Sequence, residues 1–198
     1  MIVLAGRNLA KMEAAKAELD ELGVESCLRK TDIADRAQVQ ALADYAASLG
    51  DVTQVIHTSG VSPSDTATEN IIRINAAGTV NMVEAFYLVL AGGGVMINFS
   101  SVAAYTMPQT DEWSQAFEAW NEPDFYDRLL TPMHQKLIDN QPETAENQLE
   151  LIPAGRWGHP YEMGALTAFL CSSGAGYING VDILADGGQN AGVFVPQI

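Results

Sequence analysis

The 198-residue chain has few basic residues, little sulfur and no long apolar run. Ten Lys and Arg stand against 25 Asp and Glu, a formal net charge of −15, and no basic cluster interrupts the acidity. A polyanion would be repelled by such a surface, so nucleic acid is not expected as a partner. Cys27 and Cys171 are the only cysteines, neither forms a Cys-x-x-Cys pair, and His57, His134 and His159 are scattered without ligand spacing. The pattern gives no support for a structural zinc and argues against a disulfide scaffold; both cysteines read as small buried apolar residues in a reducing compartment. No stretch reaches the roughly 18 to 20 apolar residues that span a bilayer, and no basic segment with a signal-peptide core opens the chain. A cytoplasmic protein with no membrane partner is expected.

What is present is an ordinary globular composition, 47% hydrophobic and 18% charged, enough for one domain with a core. Residues 1–5 (MIVLA) read as a buried strand with no lead-in, which suggests a chain that begins inside a domain. Leu9, Met12, Ala15, Leu19 and Leu22 then recur at helical spacing, and Gly23 follows where a helix stops on a left-handed residue. Residues 24–31 form a second short strand. Asp35 caps a second helix whose Val39, Leu42, Ala43, Ala46 and Leu49 line one face before Gly50. Residues 52–57 are a third strand, 68–90 a long helix and 95–99 a fourth strand, apolar enough to be buried on both sides. Such alternation implies parallel strands with crossover helices, an open α/β sheet.

From 106 to 147 the order weakens. Pro108, Pro123, Pro132 and Pro142 punctuate an acidic stretch containing Trp113, Phe117, Trp120, Phe125 and Tyr126. It reads as a loop-rich lid or insertion-like segment within a single domain spanning 1–198. Its aromatics either cover a bulky apolar substrate or pack as core or interface. Pro160 opens a helix to about residue 172, and 181–185 is expected as a last strand before Asp186-Gly187-Gly188.

In open parallel sheets, ligands bind beyond the carboxyl ends of the strands. The residues there are Gly6-Arg7-Asn8, Asp32-Ile33, Thr58-Ser59-Gly60-Val61 and Ser100-Ser101. Together with Asn75 in IRINAAG and the segment IPAGRWGHPYEMGALTAFLCSSGAGYINGVDILADGG, this series resembles the short-chain dehydrogenase/reductase family. Pro153, Gly155, Arg156, Gly158, Pro160, Gly180, Asp186 and Gly187 carry the most specific part of the likeness.

The resemblance implies a Rossmann-like doubly wound parallel sheet and hydride transfer between a nicotinamide cofactor and an alcohol or ketone. It implies that Asp32 accepts from the adenine amino group while Ile33 supports the ring, the alternative being a turn cap. Gly6 stands where NAD-preferring relatives carry an acid, and Arg7 follows. A missing carboxylate and an arginine suit a 2′-phosphate, so NADP(H) is favoured over NAD(H); the alternative is a solvated Arg at a helix start. Gly60 would let backbone approach the ribose, or would simply turn the chain after a strand. Ser101 would hydrogen-bond the substrate oxygen, Asn75 would help hold a water in the proton relay, and Thr131 begins a segment resembling one beside the cofactor. His57 reads as a structural residue at a strand end. The C-terminal strand and residues 193–198 resemble a subunit-contact region, which implies a homo-oligomer.

Two family blocks have no counterpart. Members use a tyrosine as proton donor or acceptor and a lysine four residues later that lowers its pKa. Here the residues four before Lys11, Lys16, Lys30 and Lys136 are Arg7, Met12, Ser26 and Pro132, and Tyr126 is followed four later by Leu130. The family's first strand and its Gly-rich turn would precede Met1. The sheet is therefore expected to be incomplete, with two unpaired edges and a cleft. Three readings follow: an NADP-linked enzyme whose missing pieces exist in a longer gene product, a non-catalytic relative acting as partner or cofactor-sensing subunit, or a fragment without function of its own.

Overall fold

A computed structural model describes residues 1–62, 66–106, 110–122, 124, 125, 127–129 and 149–190. They divide into two compact units, Met1–Phe99 with Glu112–His134, and Ser100–Asp111 with Gln135–Ile198.

The first unit is built from β1 (Ile2–Gly6), α1 (Leu9–Glu21), β2 (Ser26–Lys30), α2 (Arg36–Leu49), β3 (Val52–His57), α3 (Thr68–Ile71), a π-helical turn (Ile72–Ala77), α4 (Gly78–Tyr87) and β4 (Leu90–Asn98). Capping fixes the helix starts. Asn8 Oδ1 accepts from Lys11 N–H at 3.0 Å, and Asp35 Oδ1 accepts from Ala37 and Gln38 N–H at 3.0 and 3.1 Å. Gly23, at φ +70°, follows α1 as the periodicity requires.

β1 pairs with β2 and β3 with β4, both parallel, and among the described residues no ladder joins the two pairs. Among the described residues the sheet is thus divided into two parallel pairs. The apolar stripe of α2 still finds its core: Val39, Leu42 and Ala43 pack with Ile33, Val55, Ile74, Met82, Ala85 and Phe86 in one cluster. Hydrophobic burial does not require the two sheets to be hydrogen-bonded to each other.

Three expectations need correction. The helix over 68–90 is not uniform: Gly78 N–H reaches back to Arg73 O, a five-residue step that widens the turn, and α4 stops at Tyr87. β4 starts at Leu90 rather than 95, with a register irregularity opposite Val52 and Gln54. The strand expected over 181–185 is not formed; these residues are exposed and belong to no ladder. Alternating apolar residues make a strand only when a neighbour offers hydrogen bonds, and the described residues offer none there.

In the loop-rich stretch, α6 (Asp111–Glu118) follows the short α5 (Ala103–Thr106). Trp113 is buried and stacks on Phe117 at 6.0 Å between centroids, and Phe117 meets the buried Phe125 at 6.3 Å. These aromatics pack on one another. In the second unit, α7 (Pro160–Leu170) begins where proline is favoured, at its first helical position. Asp186 organises the turn after it: Oδ2 accepts from Asn190 N–H and Nδ2–H and Oδ1 from Gly188 N–H, each at 2.9 Å.

Candidate functional site

A cavity of about 820 Å³ opens at the carboxyl ends of β1, β2 and β3. Gly6, Arg7, Asn8, Leu9, Lys11, Lys30, Thr31, Thr58, Ser59, Gly60 and Ile74 line it, with no acidic side chain among them. The fold brings its three cations together by separate routes. Arg7 follows β1, Lys11 stands one turn further along on α1, and Lys30 ends β2 directly opposite Gly6 in the parallel register. Among the described residues, ion pairs hold Lys16, Arg36, Arg128 and Arg156 but not these three. In a chain of net charge −15, three cations without an ion pair among the described residues make this concavity a region of local positive potential.

Of the residues singled out from the sequence, Gly6, Arg7 and Gly60 line this cavity. A Cβ on Gly6 would come 3.5 Å from Met12 Sδ and one on Gly60 3.5 Å from Asn75 Oδ1, both ordinary contacts, so internal packing does not demand glycine at either place. Asn75 stands behind Gly60 on the π-turn. Its Oδ1 accepts from Val61 N–H at 2.9 Å and its Nδ2 donates to Val61 O at 2.8 Å. Asp32 and Ile33 lie one and two residues past Thr31 at the rim. Asp32 Oδ1 accepts from Ala34 N–H at 3.0 Å, a turn-capping bond that leaves its second oxygen available. Ile33 is buried in the core, where a Cβ on Gly78 would approach its side chain to 2.8 Å; only glycine lets α4 pass so close. Ser101 belongs to the second unit, is exposed, and its carbonyl accepts from Ala104 N–H at 3.0 Å. Thr131 lies outside the described residues.

His57, at the end of β3, is 3% exposed, and burial pushes its pKa below the ordinary histidine value. Burial thus favours its neutral form, and Nε2 lies 3.1 Å from Thr79 Oγ1. In the second unit the Tyr105 hydroxyl donates to Asp182 Oδ2, and that carboxylate raises its pKa. A neighbouring cation would do the opposite. Sequence reasoning missed Lys11, Lys30 and Thr79. Lys11 is legible after the fact as four residues beyond Arg7 on a helix, and Lys30 as the strand-end neighbour of Gly6.

Parallel strands, crossover helices and a cation-lined cavity at their carboxyl ends define a Rossmann-like α/β protein. The family model for short chain dehydrogenases matches residues 1–114, and that for enoyl-(acyl carrier protein) reductases matches residues 128–190. The D-threitol dehydrogenase of Mycolicibacterium smegmatis is 30% identical over 89% of this chain and 79% of its own. The chain belongs to the short-chain dehydrogenase family. Its fold is similar to that of a Serratia marcescens short-chain dehydrogenase/reductase mutant (TM-score 0.71, 20% identity, 94% and 86% of the two chains). It is also similar to a gluconate 5-dehydrogenase from Burkholderia cenocepacia in complex with NADP and tartrate (TM-score 0.68, 21% identity, 96% and 85%). The alignment with the threitol dehydrogenase runs over 210 positions, more than the 198 residues of this chain. The relative thus carries residues within the matched span that have no counterpart here.

Proposed function

We propose that the cavity binds NADP(H) and that the protein is an oxidoreductase of the class that moves hydride between this cofactor and a small alcohol or ketone. The observation that carries the reading is the convergence of Arg7, Lys11 and Lys30 on a cavity with no acidic lining. A 2′-phosphate is a dianion with three acceptor oxygens, and a carboxylate at Gly6 would repel it. Asp32 offers its free oxygen to the adenine amino group, with Ile33 packed behind it as support. Gly60 presents bare backbone to the ribose side. Ser101 would hold the substrate oxygen, Asn75 would hold the relay water, and Thr131 would begin the segment beside the cofactor. The nicotinamide ring supplies the carbon that gives or takes hydride.

The proton has no matching donor in this chain. No tyrosine precedes a lysine by four residues, and the Tyr105 phenol is held on a carboxylate that stabilises its neutral form. These 198 residues by themselves are therefore expected to bind cofactor without turning it over, and the missing pair favours a second reading, a non-catalytic relative serving as a binding or oligomer-partner subunit. The likeness of the C-terminal sequence to the family's subunit-contact region supports a homo-oligomer, and Tyr161, Phe169, Val181, Ile183 and Leu184 are exposed apolar residues of the second unit. No described helix is long and apolar enough to cross a membrane, and a cytoplasmic location fits the scarcity of cysteine.

Titration of the chain with NADPH and NADH at one fixed salt concentration tests the cofactor. NADPH is expected to bind tighter, and Arg7→Ala to remove most of the difference; tighter NADH binding rejects the preference. In the same preparation no NADPH-dependent carbonyl reduction is expected, and measurable turnover would defeat the claim of incompetence.

A further inference from the structure

The segment Thr58-Ser59-Gly60 lines the cavity, and the residues that flank it, His57 and Val61, are both tied to one stretch of helix. Val61 is held through its backbone N–H and C=O by the Asn75 side chain. His57 is held through Thr79, whose hydroxyl donates to Asn75 O at 2.8 Å. Because the hydroxyl has one proton and the carbonyl can only accept, Thr79 Oγ1 must accept from His57, which fixes the imidazole with its proton on Nε2. The chain of bonds runs His57 Nε2–H to Thr79 Oγ1–H to Asn75 O, and then through the Asn75 amide to Val61. It closes a ring around the three cavity-lining residues.

Asn75 stands in the π-turn and Thr79 one turn on, at the start of α4. Neither Thr79 nor His57 is among the residues that line the cavity, and His57 is buried.

We propose that Thr79 and His57 are positioning residues for cofactor binding, fixing the Thr58–Gly60 turn through Asn75. The proposal rests on the nicotinamide-cofactor reading. Thr79→Val keeps the volume but removes the hydroxyl, leaving both His57 Nε2–H and part of the Asn75 carbonyl unmatched. It is expected to weaken NADPH binding by about tenfold and to speed exchange of the Val61 amide proton by a similar factor, as loss of one buried hydrogen-bonding link costs. Thr79→Ser restores the hydroxyl and is expected to bind NADPH within about twofold of the parent.

His57→Gln, whose Nε2–H reaches the same position, should do likewise, whereas His57→Leu should behave as Thr79→Val does. Equal NADPH affinity and equal Val61 exchange in Thr79→Val, Thr79→Ser and the parent would overturn the proposal. So would a loss in Thr79→Ser or His57→Gln as large as in Thr79→Val, since the hydrogen bond would then not be what matters. Should the parent bind neither NADPH nor NADH, the cofactor reading fails and the positioning role for binding fails with it. Val61 exchange would still report whether the hydrogen-bonded ring holds the turn.

Discussion

In the first unit nine buried side chains from α2, α4, β3, the π-turn and the turn after β2 share one cluster, whereas the described part of the second unit buries only Ile152, Ala175 and Asn190. Both units nevertheless form helices, caps and tight turns. The difference teaches which features need a crowd. A cap or turn is satisfied by residues a few positions away, so α7 and the Asp186 turn form beside little core. A strand needs a hydrogen-bonding neighbour, so β1 to β4 exist in pairs while 181–185, with an adequate apolar pattern, stays irregular.

The comparison breaks most readily at Leu42. It is 5% exposed at the centre of the cluster, and Leu42→Ala is expected to lower unfolding free energy by about 3 kcal/mol in urea denaturation. Val181→Ala, at a residue 57% exposed, should stay within about 0.5 kcal/mol of the parent. Equal losses would mean that the second unit has a core of its own.

A smaller effect sharpens the point about local order. Gly187 has φ +66°, its carbonyl accepts from Ala154 N–H at 3.1 Å, and a Cβ there would lie 2.8 Å from Ile152 Cγ2. Gly187→Ala should cost about 2 kcal/mol of local stability, read as faster exchange of the Ala154 amide, with the urea midpoint of the first unit unmoved.

The smallest expected effect is the response to acid, and the two units should differ in where it begins. His57 titrates below its unfolded value of 6.5 because burial disfavours the cation. Unfolded chains then bind more protons than folded ones, so stability of the first unit falls as pH drops through 6.5 and levels off only below the folded value. Glu162, in the second unit, is held down to about 2, first by its bidentate bonds with Arg156 at 2.9 and 2.8 Å and then by His159 N–H. Its contribution to the start of α7 is complete above 4.5 and fades only between there and about 2. Thermal melts from pH 7 to 5 should therefore show a slope that His57→Gln removes. Protection of the amides in the first turn of α7, measured against their intrinsic exchange rate at each pH, should not change over that range, and a matching slope there would erase the distinction between the units.

Much of this was legible in the residues. Asp35 as a cap, Gly23 as a stop, Pro160 as a helix start and the α2 stripe all follow from rules that reach four residues or fewer. Gly6, Arg7 and Gly60 were found because strand ends are where parallel sheets bind ligands. Lys30 was hidden because its meaning depends on standing across a ladder from Gly6, a pairing between segments 24 residues apart. Thr79 was hidden because, although its bond to Asn75 O is the local back-bond of a helical threonine, its second partner, His57, stands 22 residues earlier at the end of β3.

By itself, then, the order of residues determined α1, α2 and the start of α7, the acidity and the missing Tyr-x-x-x-Lys pair, since each depends on near neighbours or on composition. Tertiary structure alone decided where β4 begins, that 181–185 is no strand, and that three cations of a strongly acidic chain face one cavity; the division of the sheet among the described residues was already foreshadowed by the absent first strand. Hydrogen-bond ladders and electric fields are set by which distant segments meet in space, and local pattern carries no record of that.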